Sequence, residues 1–400
     1  MPLLVSVNLD RPGAVYLAGE CVECDIILTN KSENTEVIAW VSCHIYCARH
    51  TNPSRVNIPE HPAVQVKGGN GHLQGFPVDD QISSIGTSLP VTGSETGTCI
   101  TFSKPCILCA DVSLKPNECR RFRYSGCLSS DDCPPSFSGK SVHYRYKLSV
   151  ALQRIGVPIK LLKIPLHFTV LDGFSNISFN DNSDLRPSNP FLESSQTSSK
   201  QLVLDVATDM IETITASRNY HVFNVQTDET RVCRFILVKK CFKLGDTIQG
   251  FFDFDSNPND IQCLQYLVQL QTEETVQEEF QAKPNQPPQT VTHAKEHAVC
   301  LSFSRSQVSL PIPLHGPQSF CTDLVDLSWK LHFEFVLSKG PITGEIVRHG
   351  DSSTLWKAPE NVAIETLVWD LPIKVYPCSP AVASSLSYSA RSGFCHDFEL

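Results

Sequence analysis

A turn followed by a strand of alternating polarity occurs twice in this chain, at residues 16–28 and again at 244–254. Side chains alternate between the two faces of a strand, so a period of two predicts half-buried β-strands. The copies lie too far apart for a solenoid, whose repeat period is roughly 20–50 residues, and therefore indicate a duplicated β domain. The turn residues and the predicted inward positions are Gly19, Glu20, Val22, Cys24, Ile26 and Leu28 in the first copy, and Gly245, Asp246, Ile248, Gly250, Phe252 and Phe254 in the second.

The two halves also end alike, because each closes with two alternating segments, at 144–150 and 164–170 and again at 329–335 and 371–375. Many short alternating runs separated by Gly, Pro, Asn and Ser predict an all-β protein built from two sandwiches in tandem, with one short helix between them. The predicted division is a first domain at 1–172 with a disordered insertion at 51–98, a linker at 173–217 with a helix at 200–217, a second domain at 218–378, and a disordered tail at 379–400.

Charge and hydropathy exclude several classes of protein. The formal net charge is −9 and there is no basic block, so we expect neither nucleic-acid binding nor direct attraction to an anionic membrane. No apolar run approaches the roughly 18–20 residues of a membrane span. The first ten residues lack the basic region and cleavage site of a signal peptide, which favours the cytosol. We therefore expect the 17 cysteines to be reduced.

Some cysteine and histidine spacings admit two interpretations. The pairs Cys21/Cys24 and Cys106/Cys109 have the spacing of zinc ligands, but residues three apart on a strand point to opposite faces. We favour core cysteines over zinc. For the segment 293–300, which contains two histidines and Cys300, a loop leading into a strand is favoured over a metal site. No metal or other cofactor is predicted.

The sequence contains no complete catalytic motif among those compared. Residues 138–141 resemble the end of a phosphate-binding loop, but the position that needs glycine holds Pro134, which has no amide donor. The chain contains no nucleophile elbow and no zinc-protease motif. Two sandwiches without a catalytic signature predict a non-enzymatic protein that works by binding.

The segment 134–146, together with the turn and strand at the start of each half, resembles the arrestin superfamily, in which two immunoglobulin-like sandwiches lie end to end. The resemblance covers residues 1–172 and 218–378 and implies that fold. A closer resemblance is to the Rgp family, the arrestin-like subunits of the Ric–Rgp complex. It is carried, in order, by 146–154, 188–193, 270–274, 291–294, 310–314, 320–322, 327–335 and 369–375, whereas the loop 50–97 departs from the family.

The Rgp resemblance implies a subunit of a guanine-nucleotide exchange factor, bound obligately to a large Ric-type subunit. The complex would activate a Golgi Rab GTPase of the Rab-six type in retrograde endosome-to-Golgi transport. The chain would then be found in the cytosol and peripherally on Golgi membranes, touching the membrane only indirectly. The alternative is an arrestin-like cargo or ubiquitin-ligase adaptor. The Pro-Pro sequences at 134–135 and 287–288 lack the tyrosine that WW domains of such ligases require.

Two segments are candidates for partner binding. Asn189, Pro190 and Phe191 form the tripeptide that EH domains recognise, although chance and a proline-terminated turn are the favoured interpretation. Met210, Ile211 and Ile214 lie on the apolar stripe of the predicted helix, which would either clamp the domains together or dock on the partner. The acidic run at 273–279 is interpreted as a solvated strand edge or loop, the alternative being a patch that meets a basic surface. Four aromatic residues are assigned to the core: Tyr144, Tyr146, Trp329 and Trp369.

Overall fold

Two β-sandwiches make up most of the molecule, as the sequence predicts. The computed structural model describes residues 3–11, 13–58, 76–77, 97–128, 133–171, 199–227, 231–254, 261–301, 303–340, 342, 344–349, 353–357, 359–384 and 395–399. None of the helices in these ranges is long and apolar enough to cross a membrane. The all-β prediction is confirmed, and the described residues contain two short helical segments besides the predicted helix: a 3₁₀ helix at Glu278–Phe280 and a helical turn at 380–384.

The first sandwich packs a sheet of order β24-β1-β3-β8 against a sheet of order β2-β11-β10-β4-β6-β5, with β7 paired to β4 and β9 paired to β10. The strands are β1 (Leu3–Leu9), β2 (Val15–Leu17), β3 (Cys21–Asn30), β4 (Glu36–Thr51), β5 (Phe76–Pro77), β6 (Thr98–Phe102), β7 (Cys106–Leu114), β8 (Cys119–Cys127), β9 (Phe137–Ser138), β10 (Val142–Arg154), β11 (Lys160–Thr169) and β24 (Cys395–Glu399).

The second sandwich packs a sheet of order β12-β13-β15-β18 against a sheet of order β14-β23-β20-β16-β17, with β19 paired to β20 and a separate hairpin of β21 and β22. The strands are β12 (His221–Gln226), β13 (Arg231–Leu237), β14 (Cys241–Lys243), β15 (Thr247–Phe254), β16 (Cys263–Val276), β17 (Gln289–Val299), β18 (Arg305–Pro311), β19 (Phe320–Cys321), β20 (Val325–Ser338), β21 (Glu345–His349), β22 (Ser353–Lys357) and β23 (Ile364–Tyr376).

The duplicated pattern forms the same turn in both sandwiches. Gly19 and Gly245 both have a φ of 88°, a left-handed conformation that glycine adopts without a steric penalty. The acid that follows each glycine accepts a hydrogen bond from the backbone N–H three residues earlier, at 3.1 Å for Glu20 and 3.2 Å for Asp246. The inward positions predicted for the two alternating strands are all buried, which confirms their register.

A cation completes each turn. The Arg11 guanidinium forms an ion pair with Glu20, and the Lys239 ammonium lies 2.7 Å from a carboxylate oxygen of Asp246. Arg11 also lies 5.3 Å from the ring centroid of the buried Tyr16, while Lys239 lies 5.2 Å from that of Phe242. The equivalent contacts support the inference of duplication, since ring, glycine, acid and cation recur together.

Part of the C-terminal tail, which the sequence analysis predicts to be disordered, forms regular secondary structure. Within the predicted tail 379–400, residues 380–384 are helical and Cys395–Glu399 form β24. This strand pairs antiparallel with β1, with Leu4 opposite Glu399 and Asn8 opposite Cys395. The exposed N–H and C=O groups of an edge strand offer hydrogen bonds to any extended segment, and composition alone does not reveal that partner.

Three predictions about cysteine- and histidine-containing segments are corrected. Cys21 is bonded to Cys127 in a disulfide, because the two residues lie directly opposite each other on β3 and β8. Cys106 is exposed on β7, which leaves it outside the core. The segment 293–299, predicted to be a loop, lies within β17, which ends at Val299. Cys300, where a strand was expected to begin, lies outside the strand. Throughout the described ranges, no three His, Cys, Asp or Glu side chains are arranged to hold a metal ion.

Candidate functional site at the junction of the two sandwiches

A cluster of polar contacts between the two halves surrounds the buried Glu274, near the end of β16. Its side chain reaches from the second sandwich into the loop that joins β9 to β10 in the first. The carboxylate accepts hydrogen bonds from the backbone N–H groups of Lys140 at 2.8 Å, Ser141 at 2.8 Å and Val142 at 3.2 Å. Glu274 is only 4% exposed, so these bonds are formed away from water, where charge-assisted bonds are strong.

Gly139 allows the loop to approach this carboxylate. A Cβ atom at position 139 would lie 2.6 Å from a carboxylate oxygen of Glu274 and 2.5 Å from the Phe137 ring. The Gly139 N–H also donates a hydrogen bond of 2.9 Å to the carbonyl of Val142, which closes the loop on itself. The glycine is therefore required by close packing at this point of the junction.

Aromatic rings pack beside the carboxylate. The ring of Phe320, from β19 of the second sandwich, meets that of Phe137 edge to face with centroids 5.0 Å apart. It meets Tyr144 in the same way at 6.3 Å, and the Tyr144 hydroxyl lies 3.1 Å from the hydroxyl of Thr322. Burial raises the pKa of Tyr144 to about 12. Aromatic pairs of this kind contribute about 0.5–1.5 kcal/mol beyond their buried area.

The core of the first sandwich extends across the junction. It includes five buried residues from the second half of the chain, namely Val276, Phe320, Leu324, Val325 and Leu327. The Gln318 side chain also bonds twice to the backbone of Val170, accepting from its N–H at 3.2 Å and donating to its carbonyl at 2.6 Å. A continuous core with paired polar groups favours one fixed arrangement of the two sandwiches, because separating them would expose both.

The start of the predicted insertion is a further part of the junction. Within the predicted disordered range 51–98, residues 51–58 adopt a defined conformation against the second sandwich. Val56 is buried and pairs with Gln281 as an isolated β-bridge. The Arg55 guanidinium donates to the carbonyl of Pro287 at 2.9 Å and to the hydroxyl of Ser141 at 3.0 Å. These contacts were missed because an Asn-Pro-Ser sequence looks like a loop whatever it packs against.

The predicted helix is α1 (Ser199–Thr215), two residues short of the predicted end. Ile211 is buried in a small cluster with Leu17 and Leu171 from the first sandwich, and the partly buried Tyr376 from the second packs against it. The Lys239 ammonium donates to the carbonyl of Thr215 at 2.9 Å and holds the end of the helix. The helix therefore fits the clamp that the sequence offered as one interpretation.

The candidate partner-binding residues lie in different surroundings. Ile211 faces the chain's own core, so it is not available at the surface, whereas Met210 and Ile214 are half-buried. A partner contact through these two residues stays a prediction. Asn189, Pro190 and Phe191 lie outside the described residues. The prediction that Tyr144, Tyr146 and Trp329 belong to the core is confirmed, and Trp369 is half-buried against the second core.

The interpretation of the acidic run as solvated is wrong for Glu274. A signal was present in the sequence, because Glu274 has the same parity as the inward residues Tyr266, Val268 and Leu270 of β16. Its neighbour Glu273 lies on the outer face, where it forms an ion pair with Lys330. The two-residue period of the strand, rather than the charge of the run, indicates that Glu274 points inward. A buried carboxylate needs hydrogen-bond donors.

The junction has the properties of a structural connection: a carboxylate bound by backbone amides, aromatic rings packed edge to face, and a helix that contacts both sandwiches. Comparisons with known proteins agree on one family. The Rgp1 family model matches residues 63–187 and 170–338. A Homo sapiens protein named RAB6A-GEF complex partner protein 2 is 37% identical over 393 residues, which is 95% of this chain and 96% of that protein. A Bos taurus protein of the same name is 36% identical over 404 residues, covering 97% and 98% of the two chains.

Proposed function

Because this chain belongs to the Rgp1 family, we propose that it is a subunit of a guanine-nucleotide exchange complex that activates a Rab GTPase. The observation that carries the proposal is similarity along nearly the whole chain to two proteins named as partners in a RAB6A exchange complex. The finer proposal is a non-enzymatic role in retrograde endosome-to-Golgi transport, with a Golgi Rab of the Rab-six type as the substrate.

Exchange requires no covalent chemistry. An exchange factor binds the nucleotide-free GTPase more tightly than the GDP-bound form, and this difference in affinity drives GDP out. A fixed pair of sandwiches suits that task, because a surface that holds one state of a GTPase must not deform to fit the other. The junction at Glu274 supports the proposal by connecting the two sandwiches through buried contacts rather than a linker alone.

We propose that the other subunit is a large Ric-type protein and that the two chains form an obligate heteromer. The chain would be found in the cytosol and peripherally on Golgi membranes. The net charge of −9 supports indirect attachment, since the cytoplasmic surface of membranes is itself anionic. Recruitment would then depend on protein contacts.

Binding to defined nucleotide states tests the proposal. The chain is co-purified with the large Ric-type subunit, and the complex is presented with the Golgi Rab in nucleotide-free and GDP-loaded forms. The account predicts tight binding of the nucleotide-free Rab, release by added nucleotide, and little binding of a Rab from another membrane. A stable complex that binds both nucleotide states equally would refute an exchange role and favour the cargo-adaptor alternative.

A further inference from the structure

Two buried cysteines face each other at one end of the β16–β17 pair. Cys263 is the first residue of β16, and Cys300 follows the last residue of β17. Their sulfur atoms lie 3.3 Å apart, and both side chains are free thiols. Cys263 is 7% exposed and Cys300 is 2% exposed. The sulfur atoms of a disulfide lie about 2.05 Å apart, so an approach of about 1.3 Å would bring this pair to bonding distance.

Backbone hydrogen bonds hold the two cysteines in this position. The Cys300 N–H donates to the carbonyl of Leu264, the residue after Cys263, at 2.9 Å. On the other side of β16, the Ser338 N–H donates to the carbonyl of Gln262 at 2.9 Å, and the Gln262 N–H donates to the Ser338 hydroxyl at 3.0 Å. Because the backbone is fixed on both sides, rotation of the two side chains is the movement that brings the sulfur atoms together.

The two thiols differ in acidity. The hydrogen bond between them lowers the pKa of Cys300 and raises the pKa of Cys263. The thiolate is the nucleophile in thiol–disulfide exchange, so Cys300 is the attacking group and Cys263 is the thiol that completes the bond. Cys300 lies next to Val299, which is 63% exposed at the end of an edge strand. Local opening of that strand end therefore gives a small reagent access to the sulfur of Cys300.

We propose that Cys263 and Cys300 are a redox pair, which a low-molecular-weight disulfide such as glutathione disulfide converts to a protein disulfide. The Cys300 thiolate attacks one sulfur of the reagent, a mixed disulfide forms, and one glutathione thiolate leaves. The Cys263 sulfur, having lost its proton, then attacks the Cys300 sulfur, and the second glutathione leaves. Two protein thiols are oxidised, one glutathione disulfide is reduced, and the two glutathione molecules take up the two protons. Disulfides in cytosolic proteins are usually of this transient, redox-sensing kind.

The bond would join the two ends of the hairpin that reaches the first sandwich. Its other end carries Glu274, which accepts hydrogen bonds from the first sandwich, and Gln281, which pairs with Val56. In the sheet formed by the described strands, β17 is an edge strand that pairs with β16. A disulfide between residues 263 and 300 closes the whole hairpin into a covalent loop and restrains β17 from separating. Oxidation would therefore stiffen the element that supports the junction.

The first test follows individual cysteines of the full-length chain in buffers of glutathione and glutathione disulfide. Free thiols are blocked, disulfides are then reduced and labelled, and peptide mass spectrometry gives the oxidised fraction of each cysteine. We expect Cys263 and Cys300 to be oxidised together, at the same ratio of glutathione to glutathione disulfide, with no glutathione attached to either. The exposed Cys119 is the control within the same chain and should carry a mixed disulfide with glutathione instead.

The second test measures hydrogen exchange in the reduced and the oxidised chain. Amides of β17 near Val299 should exchange about tenfold or more slowly after oxidation, whereas those of β12, the edge strand of the opposite sheet, should be unchanged. Cys300→Ser should abolish this difference, and Cys119→Ser should preserve it.

The redox pair is refuted if Cys263 or Cys300 stays reduced in the most oxidising buffer and after treatment with diamide, or if each takes up glutathione separately. Equal exchange of β17 in the two states would refute the stiffening of the hairpin. Because the pair lies within one sheet, both tests can be read whether or not the chain acts in nucleotide exchange.

Discussion

Replacing Glu274 by Gln should loosen the junction, because a single side chain accepts hydrogen bonds from three backbone amides, and two of these bonds are buried. A glutamine keeps one oxygen. If that oxygen accepts from Ser141 and Val142, the new amide group faces the N–H of Lys140, and two donors then oppose each other. One charge-assisted bond is lost and two become neutral, which we expect to cost about 2–4 kcal/mol in total.

The measurement is hydrogen exchange at the Ser141 and Val142 amides in the full-length chain. Exchange reports the free energy of local opening, so it does not require the whole protein to unfold in two states. A loss of about 2 kcal/mol accelerates exchange roughly thirtyfold, and a larger loss accelerates it further. The matched control is Glu273→Gln, one residue away on the outer face, where loss of a pair with Lys330 should cost less than about 1 kcal/mol.

The reasoning is refuted if exchange at the Ser141 and Val142 amides changes less than about threefold in Glu274→Gln, or changes equally in Glu273→Gln. Either result would mean that the loop is held by the packing of Phe137 and Phe320 rather than by the carboxylate.

Three further predictions concern other parts of the fold. Burial lowers the pKa of His44 to about 4, below its unfolded value of 6.5. The unfolded chain therefore takes up the proton at a higher pH than the folded chain does. The free energy of unfolding is expected to fall as the pH is lowered from about 6.5 towards 4. The His44 contribution to this loss is at most about 3 kcal/mol, and His44→Gln should remove it, as measured by urea titrations at several pH values. Deleting residues 395–399 removes β24, and the β1 amides that faced it should then exchange faster while those facing β3 do not; uniform protection would contradict the pairing. Gly245→Ala should cost about 1–2 kcal/mol in the same titrations, because its φ of 88° is left-handed, and no loss would contradict that conformation.

Local patterns predict the parts of this fold that local physics determines. Strict alternation placed Val22 and Phe252 in the core because a strand with one buried face admits only one register. Apolar spacing located α1 to within two residues at its end. The resemblance to the Rgp family is confirmed by relatives that match along nearly the whole chain.

Contacts between distant segments were not predictable in this way. Glu274 needs a loop more than a hundred residues earlier to satisfy it, and nothing near it in the sequence names that loop. The pairing of Cys21 with Cys127 and that of β24 with β1 likewise depend on which strands become neighbours. Strand parity or an unpaired strand edge indicates that a group needs a hydrogen-bonding segment elsewhere in the chain. The sequence alone does not identify which segment supplies it.

The measurement that tests the central claim most directly is the rate of fluorescent GDP release from the Golgi Rab of the Rab-six type. It is taken with this chain alone, with the large Ric-type subunit alone, and with the two co-purified. The account predicts acceleration by the complex that neither chain produces alone, and none on a Rab from another membrane. A stable, well-folded complex that leaves the rate unchanged would contradict the account.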